Sequence, residues 1–300
     1  MDKVSDTEAV TIPANPPSGF KVVLRELRHD KGAIVAVVVV ALILLTTIIG
    51  GFVIPHSDLV DANILDRLGA PGVNGHILGT DSSGRDILKY LIVGARNSIG
   101  IGVSVAVITE VLGIIIGITA GYFGGILDEV VMRVVDFFMV LPTLLMIIIL
   151  VTIVPNFNAL SLILIISSFG WMGTTRLIRS AVLSQSERDY VAAAKTSGTP
   201  SWKIMFGEVM PNISSLIITD FVLAVAGNIG VETGLSYLGF GLPPDTPSLG
   251  TMIAYANDPD LILNSPWMWL PAALLLLVLT LSINAFGNAL RRAADSRQRT

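Results

Sequence analysis

Few residues in this 300-residue chain could do chemistry, and most of those sit where charge is costly. Glu110, Asp136, Asp220 and Glu232 fall inside strongly apolar stretches, and a charge held near the centre of a bilayer costs on the order of a few kcal/mol, so each demands a role. Asp136 follows Arg133 by three residues, the spacing of a same-face helical pair, which reads as a structural ion pair ahead of a moving gate contact. Glu110 stands beside a ladder of Gly113, Gly117 and Gly121; a small residue every fourth position lets helices approach closely, so packing is the favoured reading there. Asp220 and Glu232 flank Asn228 and leave two roles open: lining a watery path where they meet a solute's ammonium group, or forming a buried hydrogen-bonded cluster. "GTDSSGRD" gathers Asp81, Arg85 and Asp86 between glycines. It lacks the spaced ligand set that calcium requires, and reads as a folded cap with an external contact as the alternative.

Other chemistries are excluded by what is missing. No HExxH, GxSxG or GxGD motif marks an intramembrane enzyme. No Gly-Lys pair occurs, so no phosphate-cradling P-loop can form. Cysteine is absent, and His29, His56 and His76 are scattered without metal-ligand spacing.

The elements that must hold these residues are membrane spans. Hydrophobic residues make up 52% of the chain and charged residues 14%, with a mean hydropathy of +0.74. A formal net charge of −4 offers no basic surplus for nucleic acid. Six segments approach the roughly 20 apolar residues that a bilayer core of about 30 Å requires: Gly32–Ile54, Ser98–Ala120, Val130–Val154, Ala159–Leu177, Ile213–Leu235 and Trp267–Leu290. The expected class is an all-α polytopic membrane protein. Residues 1–31 form an N-terminal tail without a cleavable signal, with a surface helix at 21–31. Residues 32–97 hold the first span and an outer loop, 98–290 a five-helix core, and 291–300 a short tail.

Cationic residues stay on the cytoplasmic side during insertion. With the N-terminus inside, fifteen of the nineteen lysines and arginines fall on that side, leaving only Arg67, Arg85, Lys89 and Arg96 outside. Both termini are therefore expected to be cytoplasmic.

In that topology residues 184–212 form an inward-facing loop longer than a connection needs. Ser184 and Glu187 have capping-box spacing, so a helix is expected to start near Ser186 and run through Ala192, Ala193 and Ala194. Gly198 suits a left-handed closing residue. Thr199 offers an N-cap with Pro200 in the first helical position, starting a second helix that bends at Pro211. Three alanines contribute little apolar anchorage but let another backbone come close. Tyr190, Trp202 and Met205 then supply anchoring contacts, and Arg188 and Lys195 a charged rim. The stretch reads as a plug for a cytoplasmic partner, with a connector lying on the lipid surface as the plainer alternative.

This loop resembles the cytoplasmic EAA loop of ABC importer permeases. Ala193, Ala194, Gly198 and Pro211 match its pattern; Ala192 stands where the family has glutamate, Glu208 where it has isoleucine and Met210 where it has leucine. "HILGTDSSGRDILKYLIVGARNSIGIG" and "LSYLGFGLPPDTPSLGTMI" resemble the peptide and nickel branch, closest to the C-type permease subunit of dipeptide and oligopeptide importers. The resemblance implies a type I importer permease fold with a helix-turn-helix coupling element, in the cytoplasmic membrane of a bacterium or archaeon. It also implies a distinct second permease subunit, two cytoplasmic ATPases carrying ATP and Mg, an external substrate-binding protein and a peptide cargo, with no cofactor on this chain. Nickel chelates or glutathione are alternative cargoes. An ion-coupled secondary transporter, with Glu110, Asp136, Asp220 and Glu232 as a proton relay, is the competing class.

Overall fold

The computed structural model describes residues 30–55, 57–61, 63–155, 157–243 and 246–295. The tail and surface helix expected before Asp30, together with the last five residues, lie outside them. Apolar length dictates the architecture: among the described residues five helices are long and apolar enough to cross a membrane, α1 (Lys31–Val53), α2 (Ile87–Phe123), α5 (Ala159–Ser186), α7 (Ser214–Tyr237) and α9 (Leu270–Asp295).

The span expected over 130–154 is not straight. It is split into α3 (Gly125–Val140) and α4 (Thr143–Ile153), which bend by 81°. Pro142 supplies the break, because it has no N–H to donate and forces Leu141 into an extended conformation (ψ 138°). Helix α2 is also longer than expected, beginning eleven residues before Ser98. Asp86 caps it by accepting from Lys89 N at 3.0 Å, and Ile87, Tyr90 and Val93 pack under the 246–268 segment with Leu249, Met252 and Met268. Hydropathy marks the part of a helix that suits lipid; here the rest is stabilised by protein packing.

The bundle is centred on α2 and α5, which the glycine ladder brings together. A Cβ on Gly113 would lie 2.6 Å from Thr174 Cβ, one on Gly117 2.8 Å from the Thr175 carbonyl, and one on Gly121 2.9 Å from the Arg179 carbonyl. Gly117 and Gly121 thus face backbone and Gly113 the Thr174 side chain, each too close for a larger residue. Helices α7 and α9 pack beside this pair through Ala226, Ile229, Leu279 and Ile283 with Ile99. Helix α1 lies outermost, tied to α9 by an ion pair of 2.6 Å between Asp30 and Arg292. That pairing holds the Asp30 carboxyl below its usual range.

Candidate functional site

At one end of the bundle, α5 continues to Ser186 and α6 (Asp189–Thr196) follows after a two-residue break. The expected capping box does not form: Ser184 lies inside α5, and Arg188 caps α6 without a side-chain bond. Asp189 favours the new helix N-terminus electrostatically. Gly198 closes it at φ +75°, with Thr199 N donating to Ala194 O at 3.1 Å. The second helical stretch starts at Ser201, one residue later than expected, with Pro200 itself as the cap.

This second stretch is irregular for a physical reason. Ile204–Val209 is a π-turn in which Met210 N donates to Met205 O, and Pro211, lacking an N–H, follows directly. Asn212 Nδ2 donates to Glu208 O at 2.8 Å, satisfying one carbonyl in the disturbed ladder. The wide turn brings Ile204, Met205 and Val209 to one inward face, where they join Val191, Ala194, Ile114, Ile118, Tyr122, Ile178, Val182 and Ile213 in a single buried cluster.

The nine residues singled out in this loop are therefore divided between two faces. Ala192, Ala193, Lys195, Gly198, Trp202 and Pro211 are exposed, Trp202 at 60%. Ala194 and Met205 are buried, which corrects Met205 as an outward anchor; the neighbouring Phe206 is 40% exposed. Tyr190 is half-buried, donating to Gln185 Oε1 at 3.1 Å, and burial pushes its phenol pKa up. Lys195 lies 4.8 Å above the Tyr122 ring, which pins α6 to the end of α2.

Midway along the bundle, Thr174 Oγ1 donates to Asp220 Oδ2 at 3.0 Å and lies 3.5 Å from Glu110 Oε2. Three helices thus meet at one hydroxyl, and among the described residues buried Glu110 Oε1 has no hydrogen-bond partner. Glu232 is elsewhere: fully buried one-half of α7 away, it accepts from Ser236 Oγ at 2.7 Å. Its neighbours Ser98 and Ser248 hold the 246–268 segment, Ser98 Oγ accepting from Leu249 N at 3.0 Å. Asp220 and Glu232 are thus not one cluster, and Asn228 between them is half-buried. Gly227, Gly230 and Gly234 leave an open strip on α7, with nothing within 4 Å of their Cβ positions.

The Arg133–Asp136 pair does not form. Asp136 pairs with Arg176 of α5, and Arg133 reaches Glu129 at 3.4 Å, exposed to solvent or a neighbour. A long arginine on the adjacent helix competes successfully with an i,i+3 partner. Arg179 adds a fork onto Asp128, two bonds of 2.5 Å, so α3 is tied to α5 twice.

At the far end, "GTDSSGRD" folds inward. Buried Asp81 accepts from Ser83 N, Arg85 N and Arg85 Nε at 2.8–2.9 Å, and Tyr255 OH lies at 3.3 Å. Asp86 caps α2 and pairs with His76 Nδ1 at 2.7 Å. These three residues stabilise the cap, Asp81 buried and Arg85 and Asp86 half-buried. Two large apolar side chains stand out from this loop: Ile64 is 81% and Leu65 94% exposed. The signal for them was an apolar pair inside a polar, glycine-rich loop.

With this geometry, comparison with known proteins places the chain. Residues 113–299 match the family of binding-protein-dependent transport system inner membrane components, and residues 18–71 match the N-terminal transmembrane domain of oligopeptide transport permease C. The chain belongs to that family, the permeases of ABC importers, and is a transport component rather than an enzyme. Among its relatives, the oligopeptide transport system permease protein OppC of Lactococcus lactis is 51% identical over 275 residues, 92% of this chain and 94% of that one. The OppC protein of Mycobacterium bovis is 37% identical over 93% of this chain and 94% of its own. The dipeptide transport system permease protein DppC of Lactococcus lactis is 32% identical over 97% and 94%.

Proposed function

We propose that this chain forms half of the pathway of an ATP-driven importer for oligopeptides or dipeptides, the cargoes named for its relatives. It sits in the cytoplasmic membrane with both termini and the α6 end inside. The observation that carries this reading is the continuous apolar cluster from Ile114 to Ile213. It joins α6 and the π-turn to the ends of α2 and α5, and the chain then enters α7 at Ser214. A push on α6 therefore has no soft layer to dissipate in. It moves α7, whose mid-helix contacts at Thr174 and Asp220 are few enough to rearrange.

The exposed face of Ala192, Ala193, Trp202 and Phe206 is the seat for an ATPase subunit, one of two that carry the ATP and Mg. Outside, the apolar tip at Ile64 and Leu65 meets an external substrate-binding protein. A second, distinct permease covers α3, whose exposed Val130, Phe137 and Val140 flank the Arg133–Glu129 pair; such a charged pair is not tolerated against lipid tails. The open strip on α7 with Asn228 then borders the pathway. Family membership favours this reading over an ion-coupled secondary transporter.

The test is reconstitution with the ATPases, second permease and binding protein. Uptake of a labelled peptide should stop on ATP depletion and survive collapse of the proton gradient. Ala193→Arg should lower ATPase retention about tenfold or more, the factor that ~1.4 kcal/mol represents, with the second permease still bound. Full retention and uptake by that variant would remove the docking assignment.

A further inference from the structure

Two cavities lie beside α1 and share a wall. One, of about 600 Å³, runs between Thr47 and Ile48 of α1, the Arg96–Ser104 stretch of α2, and Ile163 of α5. The other, of about 380 Å³, is lined wholly by apolar side chains of α1, α2, α7 and α9, among them Val37, Val225 and Ile283. Leu44, Ile99 and Val103 line both, so the two form one groove.

Arg96 stands at its mouth. The guanidinium has five N–H donors, of which one reaches Gly51 O at 3.0 Å, while the Phe52 ring lies 5.1 Å away. Among the described residues no carboxylate is within ion-pair distance of it. Gly51 makes this placement possible, since a Cβ there would press on Nη1 at 3.0 Å. Arg96 therefore lies level with Gly51, two residues from the end of α1. Leu44 and Val37, seven and fourteen residues further along α1, lie about 10 and 21 Å deeper at the helical rise. One leaflet of the hydrocarbon core is about 15 Å. The cation is thus at headgroup depth, Leu44 at the acyl-chain depth of the same leaflet and Val37 just past the midplane.

We propose that this groove binds a phospholipid with an anionic headgroup from the surrounding bilayer, its phosphate on Arg96 and one acyl chain running past Leu44 into the inner cavity. A polypeptide loop there would leave backbone N–H and C=O groups unpaired against an apolar wall. An acyl chain needs no hydrogen bonds, and the arginine supplies the charge complement.

The test uses the assembled transporter in nanodiscs of phosphatidylglycerol and phosphatidylcholine with identical chains, followed by native mass spectrometry of the lipid retained after detergent extraction. Wild type should keep one phosphatidylglycerol per copy of this chain in preference to phosphatidylcholine. Arg96→Gln should lower that preference about five-fold, the factor one arginine contributes near an anionic surface, while Arg67→Gln leaves it unchanged. Val103→Trp, which fills the shared wall, should abolish retention of either lipid; Ala41→Phe repeats this test should the tryptophan variant fail to assemble. Retention insensitive to Arg96→Gln, equal retention of both lipids, or cross-linking of Ile48→Cys to the second permease would overturn the proposal.

Discussion

Asp81 shows what a single buried carboxylate can organise: three N–H donors and a tyrosine converge on it, and the 63–86 loop is folded around it. Burial, then the Asp81 charge, raises the pKa of the Tyr255 phenol. The fold keeps this group neutral, so its stabilisation is complete below the ordinary tyrosine value of about 10 and is lost as pH rises above it. Limited proteolysis of the 63–86 loop should accelerate in that alkaline range, and Tyr255→Phe should flatten the dependence while lowering protection at neutral pH. The ladder glycines give a second expectation. Gly117→Val places a branched side chain against the Thr175 carbonyl and Ile178, and should destabilise the detergent-solubilised protein by about 1–3 kcal/mol, read as a lower unfolding temperature. At this scale the sequence marked the costly charges but not their partners. Glu110, Asp220 and Glu232 were visible as costly charges, but that Glu110 and Asp220 share Thr174 while Glu232 joins Ser98 and Ser248 depends on which helices the fold brings together.

The α6 element and its π-turn carry the next prediction. Gly198 holds φ +75°, a conformation that costs an ordinary residue about 1–2 kcal/mol and a β-branched one more. Gly198→Val should therefore misdirect the 201–212 stretch and reduce ATP-dependent uptake with the span bundle intact, measured as lost transport with unchanged circular dichroism. Gly198→Ala should fall between. The capping and turn residues in the sequence located this element but misplaced its inner face: a regular helix puts Met205 outward, whereas the π-turn before Pro211 rotates Met205 in and Phe206 out. The same limitation applies to α3 and α4. Hydropathy reports composition along 130–154, and only Pro142 in place shows that the direction changes by 81°.

For the whole molecule, sidedness decides how the parts work together. The chain has no cysteine, so single-cysteine variants report cleanly. Ser197→Cys in the α6 loop should resist a membrane-impermeant maleimide in intact cells and react after permeabilisation, and Asn74→Cys in the opposite loop should react in both. The reverse pattern would place the proposed ATPase seat on the wrong side of the membrane. Composition determined that this is a helical membrane chain and roughly where its apolar stretches fall, and its short motifs carried the resemblance to the family that comparison with known proteins then showed, because lipid solubility and short motifs are properties of local sequence. Tertiary structure alone decided which charges pair, which side of the π-turn faces out, that the glycine-rich cap closes on its own aspartate, and that Arg96 stands above an apolar groove with no carboxylate partner among the described residues. Those outcomes depend on which helices become neighbours, and neighbours are chosen by packing across the whole bundle.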